Sequence, residues 1–397
     1  MKHLVIVGGG FGGVRLARKL AKKNLYKISL VSDQDCFRYY PALYRTATGH
    51  AKEESCITLT GLVSDLPNIE VVIKHVDKID RQAKTITAND GTILIYDKVV
   101  FGLGVVTSYF GIPGIAENAF GIKSEAEIDK LIHHLHSYIE KNKKVDDSYV
   151  IVGAGATGVE LSASLLPYLK ALAQKYGADG QSVSVQLIEA APRILPRMSE
   201  RAANIALRRL RKLGVDVQIG KKVESQSKKA ITIDGKEVPT QTVIWTAGVV
   251  NNPFFANNKD QFTMGGHGKV AVNEFMQVDP YTYVIGDNAD TPHSGLALTA
   301  VRDAAYVADS LVAEHYGSEP RPYHQKAPVA VVPIGKNWSI VEYKGLVFGG
   351  LIGGLLRYCA DLVAYNDIMP LGMAVATWRS GNKLQSVCPI CSADIAS

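Results

Sequence analysis

Nothing in this chain is long enough and apolar enough to cross a bilayer. The longest apolar stretch, Gly345 to Leu356, falls short of the roughly 20 residues that a spanning helix needs, and glycines interrupt it. A secretory leader is missing too, since strand-like residues begin at Leu4. Cysteine is scarce. There are five, an odd number, and with no leader that argues for a reducing, cytoplasmic setting. No run of Lys and Arg is dense enough for nucleic acid, and a net charge of +6 leaves only a weak attraction to an anionic membrane surface. No serine-histidine-acid set and no His-rich metal motif stands out, so no metal is expected. His133, His134 and His136 share no helical face well and read as mostly solvated.

What is present is ordinary in bulk and specific in detail. Hydrophobic residues at 47% and charged residues at 21% suit a globular protein with a large core. A length of 397 residues suggests two domains or a little more. Two stretches stand out, "HLVIVGGGFGGVRLA" at the N-terminus and "YVIVGAGATGVE" from Tyr149 to Glu160. Gly8, Gly10 and Gly13, with Gly12 beside them, and again Gly153, Gly155 and Gly158, stand in G-x-G-x-x-G spacing. Each set follows an apolar run and precedes a helical one. In such a loop the first glycine permits the turn, the second lets a pyrophosphate approach the backbone, and the third lets helix and strand pack closely. One copy is weak evidence, but two in matching context predict two dinucleotide sites.

An internal repeat supports this. Ala83–Phe110 and Lys229–Phe255 each read as strand, Asp-Gly turn, strand, then a buried apolar strand ending near Gly104 or Gly248. The predicted fold is α/β, with two Rossmann-like domains and a C-terminal α+β tail. A discontinuous first domain (1–112 and 249–327) holds FAD, an inserted domain (113–248) holds NADH, and the tail covers 328–397. An acid closing the strand after a glycine loop binds a ribose hydroxyl. Glu189 fits in the second unit and should favour NADH over NADPH by repelling a 2′-phosphate. Arg193 nearby reads as a turn residue. In the first unit Ser32 stands where Glu189 does, with Asp33 next, and this atypical loop is assigned to FAD.

At this point the chain resembles the two-dinucleotide flavoproteins, and among them the type II NADH dehydrogenases, over roughly the first 320 residues. "FRYYPALYRTATG" (Phe37–Gly49), with Pro41, resembles that family's segment beside the flavin. "SYFGIPGIAENAFGIKS" and "VIWTAGV" resemble its two crossovers. "YVIGDNAD" resembles the strand end whose acid, here Asp287 after Gly286, contacts the flavin's ribityl-phosphate region. Glu160 sits in the family's Gly-Val-Glu. Because an acid there would repel a pyrophosphate, it is read as aimed at the nicotinamide and flavin rings, against the alternative of a simple first-turn acid. The resemblance implies FAD, NADH and a quinone acceptor, without proton pumping. One departure stands against the quinone. Where the family carries Ala-Gln-x-x-x-Gln, the glutamine positions are Leu298 and Arg302. Arg302 either serves the acceptor side or pairs with Asp303 or Asp287. An NADH oxidase or diaphorase using oxygen or a protein acceptor, and a flavin-bound redox sensor, remain the alternatives.

The cysteines offer no disulfide-reductase pattern. Cys36 and Cys56 are not in Cys-x4-Cys spacing, and Cys36 reads as a small buried residue. In the tail, Leu351, Leu355, Tyr358, Leu362 and Tyr365 recur at helical spacing, and Gly349/Gly353 and Gly350/Gly354 permit close helix approach. This stripe is expected to attach peripherally to the inner face of the cell membrane, with a homodimer contact or a helix packed on the core as the competing readings. Cys388 and Cys391 make one Cys-x-x-Cys, which reads as free thiols or, in a dimer, half of a shared site.

Overall fold

The computed structural model describes residues 1–381. Cys388 and Cys391 therefore lie outside the described residues. Two parallel sheets organise the chain. The larger has six strands, in the order Gln277–Asp279, Thr282–Val284, Lys98–Phe101, Lys2–Val7, Tyr26–Ser32 and Ile69–Ile73. All neighbouring pairs are parallel except the first. The smaller has four parallel strands, Asp216–Ile219, Val185–Glu189, Tyr149–Val152 and Thr242–Trp245. Their central strands are buried on both faces, which explains continuous apolar runs such as "LVIV". Residues before and after the second sheet both build the first. The fold is thus α/β with two Rossmann-like units, as expected.

The repeat appears as two small antiparallel sheets, Val76–Asp80/Thr85–Ala88/Ile93–Ile95 and Val223–Gln226/Ala230–Ile233/Lys236–Pro239. Asp234 and Gly235 both take positive φ, 46° and 72°, as a tight hairpin turn requires. The chain passes between the units on Val105–Thr107 and returns on Val249–Asn251. These strands pair with each other as an antiparallel ribbon.

The helix that carries His133, His134 and His136 runs over Glu125–Asn142. Ser124 and Glu127 form a capping box there, which stabilises an extra turn ahead of the apolar periodicity. Of the three histidines on this helix only His133 is exposed. His134 lies 4.6 Å from the Phe120 ring and hydrogen-bonds Thr242, while His136 is buried between the hydroxyls of Tyr168 and Tyr176. Burial pushes both imidazoles down to about 4, so they are neutral core residues rather than solvated ones.

The tail straddles both units. Its strands Ala330–Pro333, Ser339–Tyr343 and Leu346–Gly350 place Val332, Ile334, Ile340 and Val347 in the core of the second unit. Its helices Leu351–Ile368 and Leu371–Ser380 place Tyr365, Ile368, Met369 and Ala374 in the core of the first. The expected stripe is split accordingly. Leu351 and Leu355 are exposed, Tyr358 and Leu362 are half-buried, and Tyr365 is fully buried. Gly353 and Gly354 do permit close approach, but to the backbone of Ser339 and Asn337 in the hairpin beneath, not to another helix. Gly349 belongs to a strand.

Candidate active site

The two glycine loops share one geometry. Gly8 and Gly153 take φ of 123° and 101°, and each N–H donates to the neighbouring strand, to Val31 O and Ile188 O, both at 2.8 Å. A Cβ on Gly8 would fall 2.2 Å from Gly102 O, and one on Gly153 would fall 2.7 Å from Ala247 Cα. Gly13 and Gly158 pack the helix so closely that a Cβ would lie 1.8 and 1.9 Å from the carbonyls of Gly8 and Gly153. Gly12 is tight against Ile285. The middle glycines differ in kind. A Cβ on Gly10 or Gly155 would meet nothing within 4 Å, so both loops leave open space over a helix start. Neither Phe11–Ala21 nor Ala156–Tyr176 has a side-chain cap or an acid in its first turn. The first N–H groups of each helix point, uncapped by any side chain, at that space, the arrangement an anion needs. The residues therefore fit two dinucleotide pyrophosphates.

Register makes Ser32 and Glu189 equivalent. Val7 pairs with Val31 and Val152 with Ile188, so each residue closes its strand one place beyond the pair that precedes the first glycine. The Glu189 carboxylate accepts from Ala154 N–H (2.7 Å) and Ala191 N–H (2.8 Å), bracing the second loop. Ser32 is buried against Gly9, and its Oγ accepts from Gln34 N–H. Asp33 is exposed beside His75. Arg193 donates to the carbonyls of Met198 and Pro196, so it ties its own turn. A cavity bounded by Pro192, Arg193, Asn204 and Ile219 opens next to this strand end.

At the carboxyl end of the first sheet stands Gly286-Asp287, with Asp287 half-buried and burial raising its carboxyl. Two neighbours invisible to sequence reasoning hold this turn. Asn288 is fully buried. Its Oδ1 accepts from Gly104 N–H (2.9 Å), and its amide donates to Gly104 O (2.6 Å) and to Asn251 Oδ1 (2.7 Å). One amide thus clamps the end of Lys98–Phe101 and the return crossover together. Asp303, buried on the helix Ala297–His315, accepts from Gly286 N–H, Tyr323 OH and Gln325 Nε2. Gly248 stands immediately before the return strand Val249–Asn251, with its carbonyl accepting from Ser108 N–H.

Glu160 is the fifth residue of its helix and half-buried, not a first-turn acid. Burial pushes its carboxyl up to about 8 against the pull of Arg357 and Arg45. It faces a buried charge cluster assembled from three distant segments. Arg357 pairs with Asp361 (2.5 Å), Arg45 pairs with Glu54 (2.8 Å) and reaches Asp361 (3.5 Å), and Tyr39 OH donates to Asp361 (2.6 Å). Burial outweighs the ion pair at Glu54, whose carboxyl is raised to about 7. Arg357 also donates to Pro41 O. Arg357 and Asp361 thus dock the tail helix Leu351–Ile368 against the segments that carry Tyr39, Pro41 and Arg45.

Arg302 is half-buried and donates to Lys326 O (3.0 Å), while Leu298 lies one turn earlier and exposed. Neither expected ion pair, with Asp303 or with Asp287, forms. Cys36 and Cys56 lie diagonally across the antiparallel pair Cys36–Arg38/Cys56–Thr58, with Cα atoms 5.7 Å apart, and form a disulfide. Cys36 is therefore cross-linked rather than merely small and buried, and cysteine usage does not argue for a reducing compartment. Among the described residues, Cys359 is the free thiol.

Residues 2–304 match the family described as pyridine nucleotide-disulphide oxidoreductase. A type II NADH:quinone oxidoreductase of Mycobacterium tuberculosis is 28% identical, covering 92% of this chain and 84% of its own length. One from Staphylococcus aureus is 26% identical, covering 94% and 97%. In fold, the chain is similar to NDH2 of Plasmodium falciparum solved in complex with NADH, with a TM-score of 0.83 over 96% of this chain and 97% of that one at 15% identity. It is also similar to a sulfide:quinone oxidoreductase of Aquifex aeolicus, with a TM-score of 0.77 at 18% identity over 100% and 94%.

Proposed function

Since the chain belongs to the pyridine nucleotide-disulphide oxidoreductase family, we propose that it works as that family's type II NADH dehydrogenases do, moving electrons from NADH through FAD to a quinone without pumping protons. The observation that carries this reading is the pair of open glycine loops, one at the carboxyl end of each sheet, with buried titratable groups gathered where the two units meet. Bound FAD would supply the two-electron chemistry, taking hydride from a nicotinamide and handing electrons on singly or in pairs.

The chain's own residues divide the work. Gly8, Gly10, Gly12 and Gly13 seat the FAD pyrophosphate, Ser32 or Asp33 its ribose, and Asp287 its ribityl-phosphate region. Pro41, Gly104 and Gly248 border the flavin. Gly153, Gly155 and Gly158 seat the NADH pyrophosphate, and Glu189 its ribose. Transfer from NADH to quinone consumes one proton from solution. A carboxyl pushed to about 8 keeps its proton at neutral pH, so Glu160 holds one ready beside the reacting rings. Leu298 and Arg302 lie on the acceptor side. The exposed apolar side chains of the tail seat the protein on a membrane surface, where quinone is dissolved, in preference to a homodimer contact.

Steady-state NADH oxidation by the full chain, with menaquinone and ubiquinone analogues against oxygen alone, tests the reading. Turnover with a quinone well above the oxygen rate is the expected result. Equal rates with and without quinone would favour the oxidase alternative, and slow reoxidation by every acceptor would favour the redox sensor.

A further inference from the structure

Three cations act on the Asp287 carboxylate, namely Lys269, Arg197 and Lys123. Two of them are committed elsewhere. Lys269 Nζ donates to Ser294 Oγ, and Arg197 Nη1 reaches the carbonyls of Ser294 and Gly295 at 3.3 and 3.4 Å. Arg302 is bound to Lys326 O, and Arg38 of the strand Cys36–Arg38 pairs with Glu125, two residues beyond Lys123, at 2.8 Å. Lys123 differs from all of these. Its ammonium is buried and has no hydrogen-bond partner.

An ammonium offers three donors, and leaving them unmade in the interior is costly. Native structures seldom tolerate that unless a ligand completes the site. The near carboxylate does not do so: Glu127 Oε2 accepts from the backbone N–H groups of Lys123 (2.6 Å) and Ser124 (3.0 Å) as part of the capping box, and no hydrogen bond joins Glu127 to the Lys123 ammonium. That cap fixes where Lys123 leaves the backbone, at the start of the helix Glu125–Asn142. Burial is the largest influence on the ammonium and lowers its pKa, with Glu127 and Asp287 as the charges that oppose this. Tyr40, which follows the flavin-side strand Cys36–Arg38, feels the same Asp287 carboxylate. Lys123 thus sits among the residues assigned to the flavin, with its donors unspent.

We infer that the Lys123 ammonium completes its hydrogen bonding on the flavin ring system of bound FAD and stabilises the negative charge that the ring acquires on reduction. The inference rests on the FAD assignment proposed above and adds to it a residue that tunes the flavin's potential. Removing a positive charge beside a ring that becomes anionic makes reduction harder, so the potential should fall.

The test uses the full chain loaded with FAD and reads the flavin's midpoint potential by equilibration with a reference dye, with neither NADH nor quinone present. In Lys123→Met the two-electron equilibrium constant should shift about tenfold toward the oxidised form, about 30 mV. Lys123→Arg should restore most of it. If Lys123→Met loses FAD, the potential is read in Lys123→Gln; loss of FAD from both neutral variants while Lys123→Arg keeps it would place the ammonium on the pyrophosphate rather than the ring and overturn the inference. An unchanged potential in FAD-loaded Lys123→Met overturns it, as does loss of FAD from Lys123→Arg along with the neutral variants. Failure of the unmodified chain to bind FAD would instead overturn the FAD assignment itself.

Discussion

Glu189 and Glu160 are both carboxylates, and their surroundings give them opposite work. Glu189 accepts two backbone N–H groups and so presents a fixed carboxylate edge at the mouth of the second glycine loop. Such an edge discriminates against a 2′-phosphate. Glu189→Gln keeps an acceptor for the loop but removes the charge, so the preference for NADH over NADPH in kcat/KM should fall by about tenfold, about 1.4 kcal/mol. Equal rates with both dinucleotides in the unmodified protein would remove Glu189 from this role. Glu160 has its carboxyl raised to about 8 and Glu54 to about 7. Both folded groups hold a proton that the unfolded chain has released above about 4.5. The native state therefore binds more protons in that window, and stability falls as pH rises through it. Melting temperature should decline from about pH 5 to about pH 8, less steeply in Glu160→Gln. Turnover should fall above about pH 8 in the parent, and that limb should flatten in the same variant. A pH profile identical in parent and variant would exclude Glu160 as the proton holder.

The helix Leu351–Ile368 carries two opposed faces. Inward, Asp361 has 2% of its side chain exposed and is held by Arg357, Arg45 and Tyr39. Removing one member of a buried ionic set leaves the others uncompensated. Asp361→Ala should cost about 3–5 kcal/mol, seen as a clear drop in denaturation midpoint. Outward, Leu351 (74% exposed), Ile352, Leu355, Leu356 and Val363, with Leu371 of the next helix, form an apolar surface that no element among the described residues covers. No helix among the described residues is long and apolar enough to cross a membrane; a helix that binds lipid through one apolar face lies flat in the interface. Changing Leu351, Leu355 and Leu356 together to Gln should release the protein from liposomes and lower turnover with a long-tailed quinone more than with a short one. Unaltered liposome binding would return the surface to the dimer reading. Truncation near Pro333 is the poorer experiment, because it also strips Asp361 and Tyr365 from the core.

Across the whole molecule, what was legible in the sequence is what local chemistry dictates. Glycine spacing is visible because the loops admit no side chain at Gly8, Gly13, Gly153 and Gly158, and the Asp-Gly turns are visible because their backbone demands them. Glu189 was found because it ends an apolar strand. Asn288, Asp303 and Asp361 were not assigned their roles, since nothing beside a polar residue in the chain announces a partner 184 or 322 positions away. The disulfide was missed for the same reason, because only the folding of a short strand pair sets Cys36 against Cys56. His134 and His136 were misplaced because their tyrosine and threonine partners come from other elements. The tail's division between two cores was equally hidden, and it has a mechanical corollary. Burying one side chain such as Ile368 in the first unit or Ile340 in the second is worth about 1.5–3 kcal/mol, and several are buried in each. The stretch from Ser318 to Val329, which forms no helix or strand, is the thread by which this doubly anchored piece hangs from the rest. A protease that cuts there should sever the polypeptide without dismantling the particle. Two fragments should then co-elute at the size of the intact protein and separate only in denaturant.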